Sequence, residues 1–363
     1  MKAKAIWRLA VVLSVVVACM PAQAAEPDIA WRADDDAGWK AFRAGRLDEA
    51  ERRLRAAERE ARTLGKDDPR LAPTLDHLAW VLVAEGKFDE AEALARRELE
   101  IQEARLGPDH PEVAESLNTL ACLYDNDGKP EQARPLFERC LALLEKAKGP
   151  NDLAVAAVLD NLAAIAHVQG RVDEAEALYK RALAIREQRP SAPEVNLTPT
   201  LHNLATLYLE QGKYDQAEPL YRRVIAIREK ALGPDHPDLA TSLEALAWLK
   251  FRRGNPAEAE PMLERAIAIL DRALGHDHRQ LARCHDKLGK INCECGDPKD
   301  ADACFKEAMR ICKQATPNDP AGLAKVEEDY AGVLRKEGRA AEAEQLETRA
   351  RALRQQGHPQ APK

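Results

Sequence analysis

The cysteine thiols are the side chains of this sequence best suited to chemistry, and five of them fall within one short stretch: Cys284, Cys293, Cys295, Cys304 and Cys312. In an oxidising compartment such thiols form disulfides. Cys284 stands at the start of one predicted helix and Cys312 at the end of the next. Because antiparallel helices bring those two ends together, we predict a Cys284–Cys312 disulfide, which would add ~2–4 kcal/mol of stability. Cys295–Cys304, across the turn, is the second candidate.

The same stretch allows two other chemistries. A zinc site built from Cys284, His285, Cys293 and Cys295 would lack the paired C-x₂-C spacing of structural zinc sites. A redox site would need an exposed thiol with a low pKa. The sequence contains no glycine-rich phosphate loop, no GxSxG and no HExxH. We therefore expect no catalysis, no cofactor and no metal, and a redox-active or metal-binding protein is the alternative.

The elements that hold these side chains recur at a fixed step. Seven glycines follow one another at intervals of 42 residues (128 − 86, for example): Gly86, Gly128, Gly170, Gly212, Gly254, Gly296 and Gly338. Gly45 precedes the first of them by 41 residues. An alanine stands five residues after each of these glycines, and an alanine or glycine stands seven residues before it. Eight units in one register predict a solenoid.

One complete unit is Thr198–Pro237. Its first half carries apolar residues three and four positions apart, which predicts one face of a helix: Leu201, Leu204, Ala205, Leu207 and Tyr208. Gly212 ends this helix, and a second apolar stripe runs from Ala217 to Leu232. Small residues on either side of the turn let the two helices approach closely. Each unit is therefore predicted to be a helical hairpin.

This pattern, together with the connector LGPDHP at Leu106–Pro111 and Leu232–Pro237, resembles the tetratricopeptide repeat of the kinesin light chain type. The resemblance covers roughly residues 31–355. It implies an all-α fold, a right-handed α-solenoid (superhelix) of about eight hairpins. Their predicted bounds are about 31–65, 72–107, 114–149, 156–191, 198–233, 240–275, 282–317 and 321–355.

The resemblance also implies a ligand and a place for it. In this family the first helix of each hairpin faces a concave groove that binds another protein or an extended peptide. The groove-facing side chains expected here are Trp39, Trp80, Asn118, Asp160, His202, Trp248, Arg252 and Lys290. Asn118 stands where the family often carries an asparagine that holds a peptide backbone. The alternatives are that each tryptophan packs in the core, and that the chain is a self-associating structural scaffold.

Charge along the expected groove is uneven. Acidic side chains weight its N-terminal half: Asp76, Glu115, Asp125 and Asp160. Basic side chains weight its C-terminal half: Arg252, Arg283, Lys290, Lys325, Arg335 and Lys336. Such a distribution would orient a ligand of complementary charge. The plainer interpretation is that these are the solvated faces of charge-rich helices.

The first 25 residues have the three parts of a secretory signal. Lys2, Lys4 and Arg8 precede a short apolar run, and Pro21 is followed by a small-x-small cleavage site. We predict a cleaved signal peptide at 1–25, a linker at 26–30 and a disordered tail at 356–363. The expected location is the periplasm, and a lipoprotein anchored at Cys19 is the alternative. Cleavage lowers the formal charge from −7 to −10 by removing three basic residues, which argues against nucleic acid as a partner.

Two further groups of side chains have simple structural interpretations. Asp34, Asp35 and Asp36 replace apolar residues in the first unit and are expected to form the solvated face of a terminal cap. The histidines of the connectors, His110, His236 and His278, recur with the repeat. They are therefore expected to be structural loop residues rather than catalysts.

Overall fold

The computed structural model describes residues 30–65, 68, 70–189, 192–315 and 320–356. The predicted signal peptide with Cys19, the linker up to residue 29 and nearly all of the predicted tail lie outside these ranges, as do residues 191 and 317 at the ends of two predicted units. In the described part every regular element is a helix and none is a strand. None of these helices combines the length and apolar character that crossing a membrane requires.

Sixteen α-helices of the described residues pair into eight hairpins. They are α1 (Ala30–Arg43), α2 (Leu47–Leu64), α3 (Leu71–Glu85), α4 (Phe88–Leu106), α5 (Val113–Asn126), α6 (Pro130–Lys148), α7 (Leu153–Val168), α8 (Val172–Glu187), α9 (Thr198–Glu210), α10 (Tyr214–Leu232), α11 (Pro237–Arg252), α12 (Pro256–Leu274), α13 (Arg279–Cys295), α14 (Pro298–Ala315), α15 (Pro320–Lys336) and α16 (Ala340–Gln356). A 3₁₀ turn at Glu194–Leu197 precedes α9. The predicted all-α architecture of helical hairpins is confirmed.

The hairpins belong to two compact units, which meet in the sequence between Ala192 and Pro193. The first unit holds the four hairpins from α1 to α8, and the second holds the four from α9 to α16. Within each unit the second helix of a hairpin packs against the first helix of the next one. Each hairpin therefore buries its apolar face on its neighbours in the chain, as a solenoid requires.

Small side chains bring the two helices of each hairpin together. The eight alanines that follow the turn glycines by five residues are completely buried, for example Ala91 and Ala217. At Gly289 even a methyl group would be too large, because a Cβ there would lie 2.7 Å from the ring of Phe305. Glycine is required at the turn position Gly86 for a different reason: its φ of +78° is unfavourable for any residue with a Cβ.

Two of the three connector histidines cap the helices that follow them. Nδ1 of His236 accepts the backbone N–H of Asp238 at 3.2 Å, and Nδ1 of His278 accepts that of Gln280 at 3.4 Å. These two bonds satisfy donors that the first turn of a helix leaves free. His110 stabilises its connector instead, because its Nδ1 accepts the N–H of Glu112, the residue before α5, at 3.2 Å. The predicted structural role of these histidines is confirmed.

The acidic triplet of the first hairpin differs from expectation at its middle residue. Asp36 is exposed, but Asp35 is only 5% exposed and its Oδ2 lies 2.9 Å from Nδ1 of His77 on α3. The prediction of a solvated face is therefore wrong for Asp35. The second hairpin covers this part of α1 and supplies an imidazole to the carboxylate.

Candidate functional site

The predicted groove residues lie along one side of the first helices. Positions ten, nine and six before each turn glycine share this side, because residues three and four apart are neighbours on a helix. We call these positions the first-helix row. Row residues of successive hairpins contact each other in both units. In the first unit the ring of Trp39 stacks on that of His77 with centroids 4.3 Å apart, and in the second unit Nζ of Lys287 lies over the ring of Trp248. The row is thus partly held in place by contacts between hairpins.

The two predicted tryptophans of the first unit have different environments. Trp39 is half-buried between Phe42 and His77. Trp80 is only 4% exposed and lies beside the carboxylate of Asp76. Trp80 is consequently a core residue in this structure, which was the alternative interpretation of its sequence position.

Asn118 and Asp160 occupy the row on α5 and α7. Asn118 is half-buried, and no hydrogen bond of its side chain is present within the described residues. Asp160 is buried and forms an ion pair with Arg186 of α8, which also donates a hydrogen bond to it. Of the two, Asn118 has the amide that remains available to a ligand.

In the second unit, Glu244 is at the centre of a buried charge cluster. Its carboxylate accepts a hydrogen bond from Arg283 at 2.6 Å and lies 2.9 Å from Nζ of Lys287. Burial by itself would raise the pKa of Glu244, but Lys287 and Arg283 lower it to about 2. Glu244 therefore stays ionised and fixes two cations of α13, of which Lys287 belongs to the row.

His202 lies in the row on α9. Burial, and then the positive charge of Arg228, lower the pKa of His202 to about 3. The imidazole is accordingly neutral at physiological pH, and its ring meets that of Tyr221 edge-on at 5.4 Å. A neutral, buried histidine offers hydrogen bonding rather than charge.

Trp248 is the half-buried tryptophan of the second unit. Its ring stacks on Phe251 at 5.0 Å, while Nζ of Lys287 and Nζ of Lys290 lie 5.2 and 5.6 Å from its centroid. Arg252, four residues further along α11, is exposed and has no ion pair within the described residues. We call Trp248, Arg252, Lys287 and Lys290 the Trp248 patch.

The second unit was predicted to present a positive face, but most of the basic side chains on that face have acidic partners. Lys290 bridges Asp286 and Asp329 at 2.8 and 2.7 Å. The other pairs are Lys325–Asp329, Arg335–Glu347 and Lys336–Glu294. The exposed positive charge on this side of the unit is consequently smaller than the residue types suggest.

A buried carboxyl group in the first unit was missed by sequence reasoning. Glu98 of α4 is only 4% exposed and accepts a hydrogen bond from Oγ of Ser116 at 2.6 Å. It stands twelve residues after its turn glycine, where the other hairpins carry small residues: Ala57, Cys140, Ala182, Val224, Ala266, Ala308 and Ala350. That departure from the repeat is the signal that could have identified it.

Five cysteines of the described residues are free thiols in this structure: Cys140, Cys284, Cys293, Cys295 and Cys304. Cys284 and Cys312 both belong to the hydrophobic core of the second unit, and their pairing stays a prediction. Burial raises the pKa of Cys140 to about 12 and that of Cys304 to about 11. A raised pKa leaves less thiolate, the opposite of what a redox thiol needs. No group of three or more His, Cys, Asp or Glu side chains within the described ranges could hold a metal ion.

Comparison with known proteins identifies the repeat. The model of the tetratricopeptide repeat matches residues 41–104, 81–146, 126–188, 197–272 and 250–314. No curated protein gives a significant match. The chain is similar to the crystal structure of BtubC (BKLC) from P. vanneervenii, with 26% sequence identity over 61% of this chain and 90% of that one, at a TM-score of 0.54.

Two solved structures at 13% identity share the fold. The apo quorum sensor NprR from B. thuringiensis aligns over 91% of this chain and 89% of its own, at a TM-score of 0.69. The Rap conjugation gene regulator of the plasmid pLS20, solved in complex with the Phr* peptide, aligns over 79% and 75% at a TM-score of 0.58. The repeat matches extend over more than half of the sequence, and the chain therefore belongs to the tetratricopeptide repeat family.

Proposed function

We propose that this chain is an exported scaffold that binds an extended peptide or a protein segment on its first-helix rows, without catalysis of its own. Membership of a repeat family whose fold is shared by a regulator solved with a bound peptide supports this function. The observation that carries the proposal is the Trp248 patch, where two ammonium groups lie 5.2 and 5.6 Å from the ring centroid of a half-buried indole.

The Trp248 patch has the composition of a binding hot spot. A tryptophan supplies a large contact area at a low cost in conformational entropy, and tryptophan is enriched among the residues that dominate interfaces. Lys290 is held by Asp286 and Asp329, and Lys287 is held by Glu244, so both cations are positioned before a ligand arrives. An apolar side chain next to a carboxylate would match this arrangement, because the indole and the ammonium groups are adjacent.

Binding would be passive. The helices that carry the row are fixed by hairpin-to-hairpin packing, and the ligand, rather than the protein, would lose conformational freedom. The half-buried amide of Asn118 would serve the first unit in the same way by hydrogen bonding to a peptide backbone.

Selection from a random-peptide display library tests this function. We expect the purified chain to enrich peptides that Trp248→Ala no longer retains. Leu274→Ala is the matched control, because Leu274 is an exposed apolar side chain (41%) at the end of α12, away from the row. Circular dichroism should show that both variants fold. Retention of the same peptides by Trp248→Ala and the unmodified chain would refute the proposal.

Export has its own test. The proposed signal at residues 1–25 predicts that the protein isolated from the cell envelope begins after Ala24 or Ala25. Mass spectrometry of the mature N-terminus and cell fractionation would check this. A cytoplasmic protein with an intact first residue would contradict it, and a lipid-modified Cys19 would establish the lipoprotein alternative.

A further inference from the structure

Glu98 places a carboxyl group inside the packing between two hairpins of the first unit. Its Oε1 accepts the hydrogen bond from Ser116 at 2.6 Å, whereas its buried Oε2 has no partner at hydrogen-bonding distance within the described residues, although the side chain of Gln102 is close enough to act on the carboxyl group. A buried oxygen without a partner costs free energy. The other hairpins have alanine, valine or cysteine at the position equivalent to Glu98, so the hairpin fold does not require a carboxyl group there.

Two more carboxyl groups lie close to Glu98. Asp76 of α3 accepts a hydrogen bond from Oγ1 of Thr119 at 2.7 Å. Ser116 and Thr119 are three residues apart on α5, so their Cβ atoms are about 5–6 Å apart. Asp76 and Glu98 are therefore attached to neighbouring turns of one helix. Glu115 is adjacent to Ser116 on that helix and is exposed.

The surroundings of this acidic cluster contain few positive charges. Asp76, Glu98 and Glu115 form no salt bridge within the described ranges. The other charged or titratable groups that act on them are Asp35 and His77 on the side of α1 and α3, Glu112 on the side of α5, and Lys148 on α6, while Asp36 acts on His77. His77 is itself engaged by Asp35. Lys148 acts on Glu115, the outermost member.

These surroundings favour the protonated carboxyl groups. Burial, followed by the charge of Asp76 and then that of Glu115, raises the pKa of Glu98 to about 8, while Ser116 and Gln102 oppose the shift. Burial also raises the pKa of Asp76 and of Glu115. The cluster consequently carries less negative charge at neutral pH than three carboxyl groups would in water.

We propose that Asp76, Glu98 and Glu115 bind an ammonium or guanidinium group of a ligand, either a lysine or arginine side chain or the amino terminus of a peptide. Such a group supplies a charged hydrogen-bond donor to the buried Oε2 of Glu98 and a salt-bridge partner, which the three carboxyl groups do not have within the described residues. The inference rests on the proposed function, because the cation belongs to a bound segment. Glu115 is exposed and Asp76 is half-buried, so the cation enters from their side and meets Glu98 at the base.

Binding of the cation is coupled to a proton. The carboxyl group of Glu98 loses its proton to solvent as the ligand arrives, while the ligand's ammonium group keeps all of its own. The bound state thus holds one proton fewer than the free protein and free ligand together. Affinity should increase about tenfold per pH unit below the pKa of Glu98 and level off above about 8, because one proton is released.

Titration calorimetry with acetyl-Lys-Lys-Lys-amide as the probe tests this site. We would measure its binding near pH 7 in phosphate and in Tris, whose different ionisation enthalpies reveal released protons. The full chain should release about one proton per probe bound, and Glu98→Gln should bind about tenfold more weakly and release none. The glutamine side chain of this variant keeps the shape and the acceptor for Ser116, so the variant should fold.

Glu100→Gln is the matched control. Glu100 lies on the same helix, is exposed and pairs with Arg97, so the variant removes the same charge from a site outside the cluster. Equal weakening by Glu98→Gln and Glu100→Gln would overturn the inference, since it would show only general attraction to an acidic protein. Unchanged proton release in Glu98→Gln would overturn it as well.

The outcomes separate this site from the proposed function. Peptides that are still selected through Trp248, with no proton release by the lysine probe, would refute the acidic site alone. Proton release that depends on Glu98, with peptide selection unaffected by Trp248→Ala, would refute the Trp248 patch alone.

Discussion

Two glycines inside first helices of the second unit offer a controlled test of the packing. A Cβ at Gly289 in α13 would lie 2.7 and 2.8 Å from Cε2 and Cδ2 of Phe305. A Cβ at Gly332 in α15 would meet no atom within 4 Å. The same change to alanine therefore separates helix propensity from close contact.

The expected magnitudes follow from these distances. Glycine inside a helix costs roughly 0.5–1 kcal/mol relative to alanine, so Gly332→Ala should stabilise the chain by about that amount. At Gly289 the same gain is opposed by overpacking, which typically costs ~1–3 kcal/mol. Phe305 is completely buried and stacks on Tyr330 at 4.8 Å, so its ring cannot move without losing contacts. We expect Gly289→Ala to be less stable than Gly332→Ala by about 1–3 kcal/mol.

Urea denaturation followed by circular dichroism would compare the two variants. Because arrays of repeats unfold with limited cooperativity, hydrogen exchange of the α13 and α15 amides should accompany it. Adding Phe305→Leu to Gly289→Ala should show a favourable coupling energy, since the conflict is with the ring. If Gly289→Ala stabilised the chain as much as Gly332→Ala, the close approach of α13 and α14 would be refuted.

Three further predictions concern titration and thiols. The pKa of Glu98 is about 8 in the folded chain against 4.5 in the unfolded chain, so the folded state keeps a proton that the unfolded chain loses. Stability should therefore fall as the pH rises from 4.5 to about 8. Glu98→Gln should flatten this dependence of the melting temperature on pH. For Glu244 the pKa shift has the opposite direction, because its pKa is about 2 in the folded chain against 4.5 in the unfolded chain. The stability that it contributes is therefore present above pH 4.5 and lost as the pH falls towards 2. Glu244→Gln should therefore show a smaller acid loss and, by weakening charge-assisted hydrogen bonds, about 1.5–3 kcal/mol less stability in neutral urea titrations; an unchanged profile would contradict this. Finally, peptide mapping of oxidised protein under non-reducing conditions should find Cys284 linked to Cys312, and Cys284→Ser should leave Cys312 open to alkylation; two alkylated thiols in the oxidised chain would exclude the bond.

The hairpins could be predicted from the sequence because periodic contacts need periodic residues. Every close helix approach needs a small side chain, so Ala91 and Ala217 recur at the same position in their units. The connector histidines are equally regular, because His236 and His278 cap the next helix with a local backbone bond. Such local requirements repeat with the chain and are visible without a structure.

The environments along the first-helix row could not be predicted in the same way. Trp80 and Trp248 occupy equivalent positions, yet only Trp248 has lysine ammonium groups over its ring. Burial there depends on the side chains of the neighbouring hairpin, about one repeat away in the sequence. Asp35 was missed for that reason, because its partner His77 lies 42 residues further on.

The hairpin-by-hairpin stacking gives the chain two classes of position that differ in their tolerance to substitution. A completely buried alanine such as Ala217 is constrained by its partner helix and offers evolution little freedom. A row position such as Trp248, Lys290 or Gly332 contacts at most its immediate neighbours, so a new side chain there changes what one hairpin displays and leaves the others intact. An array of this kind can acquire a new ligand one hairpin at a time.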